Sequence, residues 1–394
     1  MECREKLWNS NYVKIWTANF MAHFSFTLIV PLLPLYLSQS FGADKETIGV
    51  CLAGYTIMAI VVRPFCGYVV DTFPRKAVLL ISNFIFVSLF AGYLAAGSLA
   101  AFTLFRTVHG APFGALGVSA STVAIDVLPP SRRAEGIGYY GLSHNLATAT
   151  GPVLAVYVLK LFEGNFNSLF WLSILVSLVG LVLDSTIKMP SRDYVLGKKV
   201  ISLDRFFLLK GWRESIAIVA YGISYGILST YVAIYGKEEL GLAEGTGLFF
   251  TLFAIGLIIS RLAGARNLKK NAVSRNAAIG IILDLVGYAV FASFHGPAGY
   301  YAAGFIIGLG NGHMFPAFQT MFINLAPNNQ RGTANSSILT AWDAGIGLGV
   351  LAGGCISERF GYHPAFWTAV ALTALGVAYF YATVRNHFET NKLR

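Results

Sequence analysis

The chain has 394 residues, 55% of them hydrophobic and only 12% charged, with a mean hydropathy of +0.62. A soluble domain carries about 25% charged residues, so this composition cannot clothe a water-soluble particle of such length. The net charge of +10 would suit a polyanion such as nucleic acid, but the placement of the charges excludes that partner, as follows.

Apolar runs near the roughly 20 residues needed to cross a bilayer recur from end to end. They predict twelve spans at 12–39, 46–70, 77–97, 99–125, 133–161, 166–187, 212–236, 245–266, 275–294, 297–324, 332–357 and 362–384. Backbone groups in hydrocarbon must be satisfied within the segment or in a closed barrel, and these runs are too long and too evenly apolar for alternating barrel strands. The fold class expected is an all-α membrane protein. The opening segment has basic residues before its apolar run, as a signal peptide does. No small-residue cleavage site follows, and Pro31 and Pro34 lie near the far end of the run, so it is read as a retained first helix.

Positive loops stay cytoplasmic. Of the 29 Lys and Arg residues, 22 lie at the termini and in the loops near 71–76, 126–133, 188–213, 266–275 and 325–331. Only Lys45, Lys160, Lys237 and Arg359 lie on the other side, and Arg63, Arg106 and Arg261 fall inside spans. Both termini are therefore expected in the cytoplasm, and the basic balance reflects topology. The connection at 188–211 is the longest and is basic, with an amphipathic stretch suited to the inner membrane surface and its lipids. It divides the chain into expected six-helix bundles at 1–187 and 212–394. Cys3, Cys51, Cys66 and Cys355 show no paired or metal-ligand spacing and are read as packing residues.

Several polar residues interrupt the apolar pattern. After span two, Gly67 is followed by Asp71 and by the basic pair Arg75 and Lys76. Glycine permits close helix approach, and an Asp at a helix end among basic residues can form a breakable latch. The plainer reading is of solvated loop charges. Span four carries Arg106 and His109, one turn apart on one face. A charge inside a span costs about 3 kcal/mol or more and usually marks a pathway, unless the Arg snorkels to the interface. Span five carries His144, Asn145 and the Gly151-Pro152 pair among small residues, a combination that lets helices pack closely and bends one of them. Asp284 lies mid-span nine and Asp343 centrally in span eleven, directly after Trp342; each suits a proton carrier or a structural hydrogen bond. Asp126 and Glu135 flank the loop after span four beside Arg132 and Arg133, and read as cytoplasmic interface charges or as charges coupled to the latch. His23 in span one and His313 in span ten can titrate near neutrality or satisfy local hydrogen bonds. Phe24, Tyr221, Tyr225, Tyr231, Tyr235 and Trp342 could wall an adaptable apolar pocket or simply pack.

Sliding the sequence by 198 positions places Gly49 on Gly247, Arg63 on Arg261, Gly114 on Gly312, Pro129 on Pro327, Arg133 on Arg331 and Gly151 on Gly349. The Arg and Pro matches are costly coincidences. Each half has an even number of spans, so the two repeats run in the same sense. Parallel repeats about an axis along the membrane normal are the architecture of the major facilitator halves.

Taken with the Gly67–Lys76 loop signature, the Arg106-containing fourth helix and the Gly151-Pro152 fifth helix, the whole chain resembles the major facilitator superfamily. Within it the chain is most similar to the twelve-span drug:proton antiporter branch of bacterial exporters, which Pro31 and Pro34 also fit. There are departures. Lys269 stands where Asp71 would repeat, so the latch is expected on one side only. His109 replaces a more usual Gln, and Ala155-Val156 replaces two glycines of the antiporter motif.

The resemblance implies a secondary active transporter that exports a small amphipathic molecule in exchange for protons, as a monomer in the bacterial inner membrane. It places spans one, four, seven, ten and eleven near the central cavity and span nine on the outer scaffold. Arg106 and Asp343 would be the coupling or binding pair, with His109, Asp284, His23, His313, Asn145 and Trp342 as further candidates. Proton-coupled uptake of a sugar, carboxylate or peptide is the alternative, and a non-transporting receptor or intramembrane enzyme is more remote. No Walker loop, HExxH helix or Gly-x-Ser-x-Gly elbow is present, so neither a cofactor, a metal nor enzymatic chemistry is expected.

Overall fold

The computed structural model describes residues 6–43, 45–189, 206–242, 246–269 and 272–393. The helices are α1 (Ser10–Ile29), α2 (Leu33–Phe41), α3 (Lys45–Thr72), α4 (Arg75–Ala95), α5 (Leu99–Val127), α6 (Arg133–Leu161) and α7 (Asn167–Ser185). They continue as α8 (Trp212–Glu238), α9 (Thr246–Lys269), α10 (Val273–Ser293), α11 (Pro297–Leu325), α12 (Arg331–Phe360), α13 (Tyr362–Tyr379) and α14 (Arg385–Asn391). These make the twelve expected spans. The first is split into α1 and α2 by a 3-10 turn at Val30–Leu32, where Pro31 removes a backbone donor. The last joins α13 to α14 through a π-helical turn, Phe380–Val384. Nine helices among the described residues are long and apolar enough to cross a membrane.

Local chemistry explains the ends. Asn9 caps α1 by accepting from the Tyr12 N–H at 2.9 Å, and Ser98 caps α5 from Ala101 at 3.2 Å. Gly361, at φ 84°, makes the turn that lets α13 follow α12 at once.

The chain forms two compact units. The first comprises Met1–Pro130, Tyr140–Phe206 and Gln330–Ser336; the second comprises Ser131–Tyr139, Phe207–Asn329 and Ser337–Arg394. Within the first, α3 packs on α5, α4 on α5, α1 on α7 and α4 on α7. Within the second, α9 packs on α11, α10 on α11, α8 on α13 and α10 on α13, which is the same set of pairings carried forward by one repeat. Buried aromatics fill each interior, Phe86, Phe90, Tyr93 and Phe102 in one and Phe249, Phe291, Tyr300 and Phe366 in the other.

Outward faces are apolar. Val50, Ile57, Val61 and Phe65 line the exposed side of α3, and Ile255, Ile259 and Leu262 that of α9. Such stripes are stable against lipid and unstable against water. Helix α11 is enclosed along nearly its whole length, so it can be built from Gly, Asn, His and Pro without facing hydrocarbon. Cys51 and Cys66 are buried, as their residue type suggests, but Cys355 is exposed. It is therefore not a packing residue. Cys3 and the amphipathic part of the linker, 190–205, lie outside the described residues.

Candidate functional site

Asp71, at the end of α3, is the centre of an ion network in the first unit. Its Oδ1 accepts from Arg75 Nη2 at 3.0 Å and from the Gly332 N–H at 2.9 Å. Its Oδ2 accepts from the Thr333 N–H at 2.8 Å and from the Thr333 hydroxyl at 2.9 Å. The first N–H groups of a helix have no intrahelical acceptor, so Asp71 caps α12 from a different helix. Asp126, at the end of α5, accepts from Arg75 and, at 2.7 Å, from Arg331. The alternation Asp71, Arg75, Asp126, Arg331 balances two carboxylates against two guanidinium groups, all largely shielded from solvent.

Gly67 makes the approach possible: a Cβ there would fall within 3.0 Å of the Ser336 side chain. Lys76 makes no ion pair among the described residues. The side chain of Lys269, on which a one-sided latch depends, lies outside them. Of the two charges weighed for coupling to the latch, Asp126 joins the network, while Glu135 pairs locally with Arg132; Arg331, 205 positions from Asp126, is not legible in sequence as its partner.

Deeper in the same unit Arg106 is 3% exposed. Its guanidinium lies over the Tyr55 ring at 4.0 Å and near Phe26 at 5.4 Å, and it donates to Tyr93 Oη at 3.4 Å. The charge is held by aromatic faces and meets no carboxylate among the described residues. His109 shares that Tyr93 hydroxyl through Nδ1 at 2.7 Å and is enclosed by Phe86 and Phe90. His23 and His144 meet edge to face with ring centroids 4.5 Å apart. His23 Nδ1 lies 2.9 Å from the Asn19 carbonyl. The buried amide nitrogen of Asn145 has no hydrogen-bond partner among the described residues.

Gly151 and Pro152 lie in α6. A Cβ at Gly151 would strike Thr27, whose hydroxyl donates to the Ala147 carbonyl at 2.9 Å. Gly151→Ala is therefore expected to destabilise the protein by about 1–3 kcal/mol, read as a fall in detergent-solution melting temperature. An unchanged midpoint would mean that α1 and α6 have slack at this crossing.

In the second unit Asp284 accepts from Asn311 at 3.1 Å and lies in the space left by the absent side chain of Gly310. His313 Nδ1 lies 2.9 Å from the Asn276 side-chain oxygen, while the Asn276 amide donates to the His313 carbonyl at 3.0 Å. Trp342 stands between Tyr225 at 5.4 Å and Phe315 at 5.6 Å, and Asp343 beside it is half-buried. Tyr235 belongs to the packed core. Tyr231 donates to the Val350 carbonyl at 2.9 Å against Gly353, so these two tyrosines hold helices together.

The family model described as Major Facilitator Superfamily matches residues 15–350 and again 277–393. The chain belongs to the Major Facilitator Superfamily. It is a multi-pass membrane transporter of small molecules, built as twelve helices in two parallel six-helix repeats, and it is not an enzyme. Among relatives in this superfamily, the Staphylopine export protein of Staphylococcus aureus is 24% identical over 360 residues, covering 87% of each chain. The multi-drug resistance efflux pump PmrA of Streptococcus pneumoniae is 22% identical over 396 residues, covering 94% of each. The fold is shared with the human organic anion transporter MFSD10 (TM-score 0.81, 14% identity, 94% of this chain and 98% of that one). It is also shared with FucP in its outward conformation (TM-score 0.79, 16% identity, 96% and 99%).

Proposed function

We propose that this transporter exports a small amphipathic molecule across a bacterial inner membrane in exchange for protons, with both termini cytoplasmic and by alternating access. The observation that carries the reading is the closed network of Asp71, Arg75, Asp126 and Arg331. It ties the start of α12 to the ends of α3 and α5 by contacts that can break and re-form as a unit. Export, in preference to uptake, is supported by the relatives that carry the names of an export protein and an efflux pump over most of their length. The excess of Lys and Arg in one set of loops supports the orientation.

In this reading Asp343 carries the proton or contacts the substrate, beside the Trp342, Tyr225 and Phe315 surface. Arg106 and His109 act through the Tyr93 hydroxyl that they share. Purified protein in liposomes, given an imposed pH gradient, is expected to drive a fluorescent amphipathic dye against its concentration, and an uncoupler is expected to stop it. Asp343→Asn should lower gradient-driven transport by about tenfold or more, since intramembrane carboxylates serve as proton relays, while leaving the melting temperature near wild type. Full gradient-driven transport by that variant would remove Asp343 from the mechanism.

A further inference from the structure

Arg261 lies well inside α9, between Ser260 and Leu262, and its side chain projects from the face opposite the exposed stripe of Ile255, Ile259 and Leu262. The neighbours on its own face, Leu257, Gly264, Ala265 and Leu268, are buried. Arg261 is itself 8% exposed, and its Nε is buried without a hydrogen-bond partner. Among the described residues it has no ion pair and no aromatic ring beneath it. Its terminal nitrogens are not among the sealed, unpartnered atoms, so what little exposure the side chain has lies at the planar end of the guanidinium.

One turn along, Gly264 leaves room for His313 Nδ1 and the Asn276 amide, so the polar groups of this region gather on that side of α9. The contrast with Arg106 is informative. That residue has two aromatic faces and a tyrosine hydroxyl, whereas Arg261 has nothing of the kind. Of the two mid-span carboxylates of this unit, Asp284 is engaged by Asn311.

A guanidinium inside a span costs several kcal/mol unless something neutralises it, and its fork of donors fits a carboxylate or phosphate in two parallel hydrogen bonds. We propose that Arg261 binds an oxyanion group on the transported solute, so that the amphipathic cargo is an organic anion, its carboxylate or phosphate held by Arg261. This deepens the export reading above and rests on it for the word cargo. Binding itself requires neither a gradient nor a direction of transport.

The test is therefore binding to the purified, delipidated full chain in a neutral detergent, by calorimetry and thermal shift. The probes share one ring system: 2-naphthoate, 2-naphthyl phosphate, neutral 2-naphthamide and cationic 2-naphthylmethylamine. The two anions are expected to bind and to raise the melting temperature above what the amide and the amine achieve. Arg261→Gln should weaken the anions by about tenfold or more, the value of a lost charge-assisted pair, and leave the amide unchanged. Arg261→Lys, which keeps the charge but not the fork, should fall between the two, and it also serves if the Gln variant is poorly folded.

Equal binding of amide and anion, or anion affinity that survives both substitutions, overturns the proposal. A response to phosphatidylglycerol with none to the soluble anions overturns it as well, by assigning Arg261 to a lipid headgroup. Anion binding that depends on Arg261 in a protein showing no proton-driven export would leave this inference standing and remove the export reading instead.

Discussion

Asp71→Asn is expected to cost about 3 kcal/mol, the usual penalty for removing one partner from a buried charge network, and to reduce transport more than any other substitution at the loop end. Four donors converge on this carboxylate: Arg75, two backbone N–H groups of α12 and the Thr333 hydroxyl. An asparagine has the same shape but one acceptor oxygen. Its amide hydrogens would face the N–H groups that the second oxygen now receives, and Arg75 and Arg331 would share Asp126 alone.

The loss is expected as a fall of several degrees in melting temperature and as faster labelling of a cysteine placed at Thr333. Combined with Arg75→Gln, the effect should be clearly less than the sum of the two, since both act on one network. Strict additivity would mean that Asp71 and Arg75 do not work together.

The second large effect is steric. In the second unit α8 and α12 meet backbone to backbone along Gly222, Gly226, Gly345 and Gly349. A Cβ at Gly349 would lie within 3.0 Å of the Ile223 backbone, and one at Gly345 would crowd Val219 and Gly222. No side chain stands between the helices to rearrange, so a larger residue must push whole helices apart. Gly349→Leu is expected to exceed the 1–3 kcal/mol of ordinary overpacking and to leave little folded protein after detergent extraction. Gly347 lies between these positions on the same helix but meets nothing within 4 Å. Gly347→Leu should extract at wild-type yield, and equal loss at both positions would show that helix flexibility, not the crossing, is what the glycines supply.

The helices and their repeat were legible because each depends on local facts: apolar runs of bilayer length, turn residues between them, and Arg, Pro and Gly recurring at a single offset. Helix ends moved by only a few residues. Pro31 and Pro34 stand out near the end of the first span, but nothing in the sequence shows that the span divides there into α1 and α2.

The site was less legible. Asp71 and Arg75 stand out because four residues separate them, so one helix turn brings them together. Asp126 reads as a loop charge until the fold carries it to Arg75 and Arg331, which lie 51 and 205 positions away. Arg106 is visible as a charge in an apolar run, but nothing in the neighbouring sequence says that Tyr55, Phe26 and Tyr93 will close around it. Arg261 was legible as an intramembrane cation and as the repeat of Arg63. Its lack of a partner is a property of the packed helix, and no local pattern encodes it.

The first unit takes in Gln330–Ser336, and the second takes in Ser131–Tyr139. A cut at the linker would therefore part each half from a segment that belongs to its compact unit. Expressed alone, 1–187 would present Asp71 and Asp126 without Arg331 and without the α12 backbone that Asp71 caps. Expressed alone, 212–394 would begin α12 with bare N–H groups. The two fragments should be degraded when made singly and should rescue one another when made together.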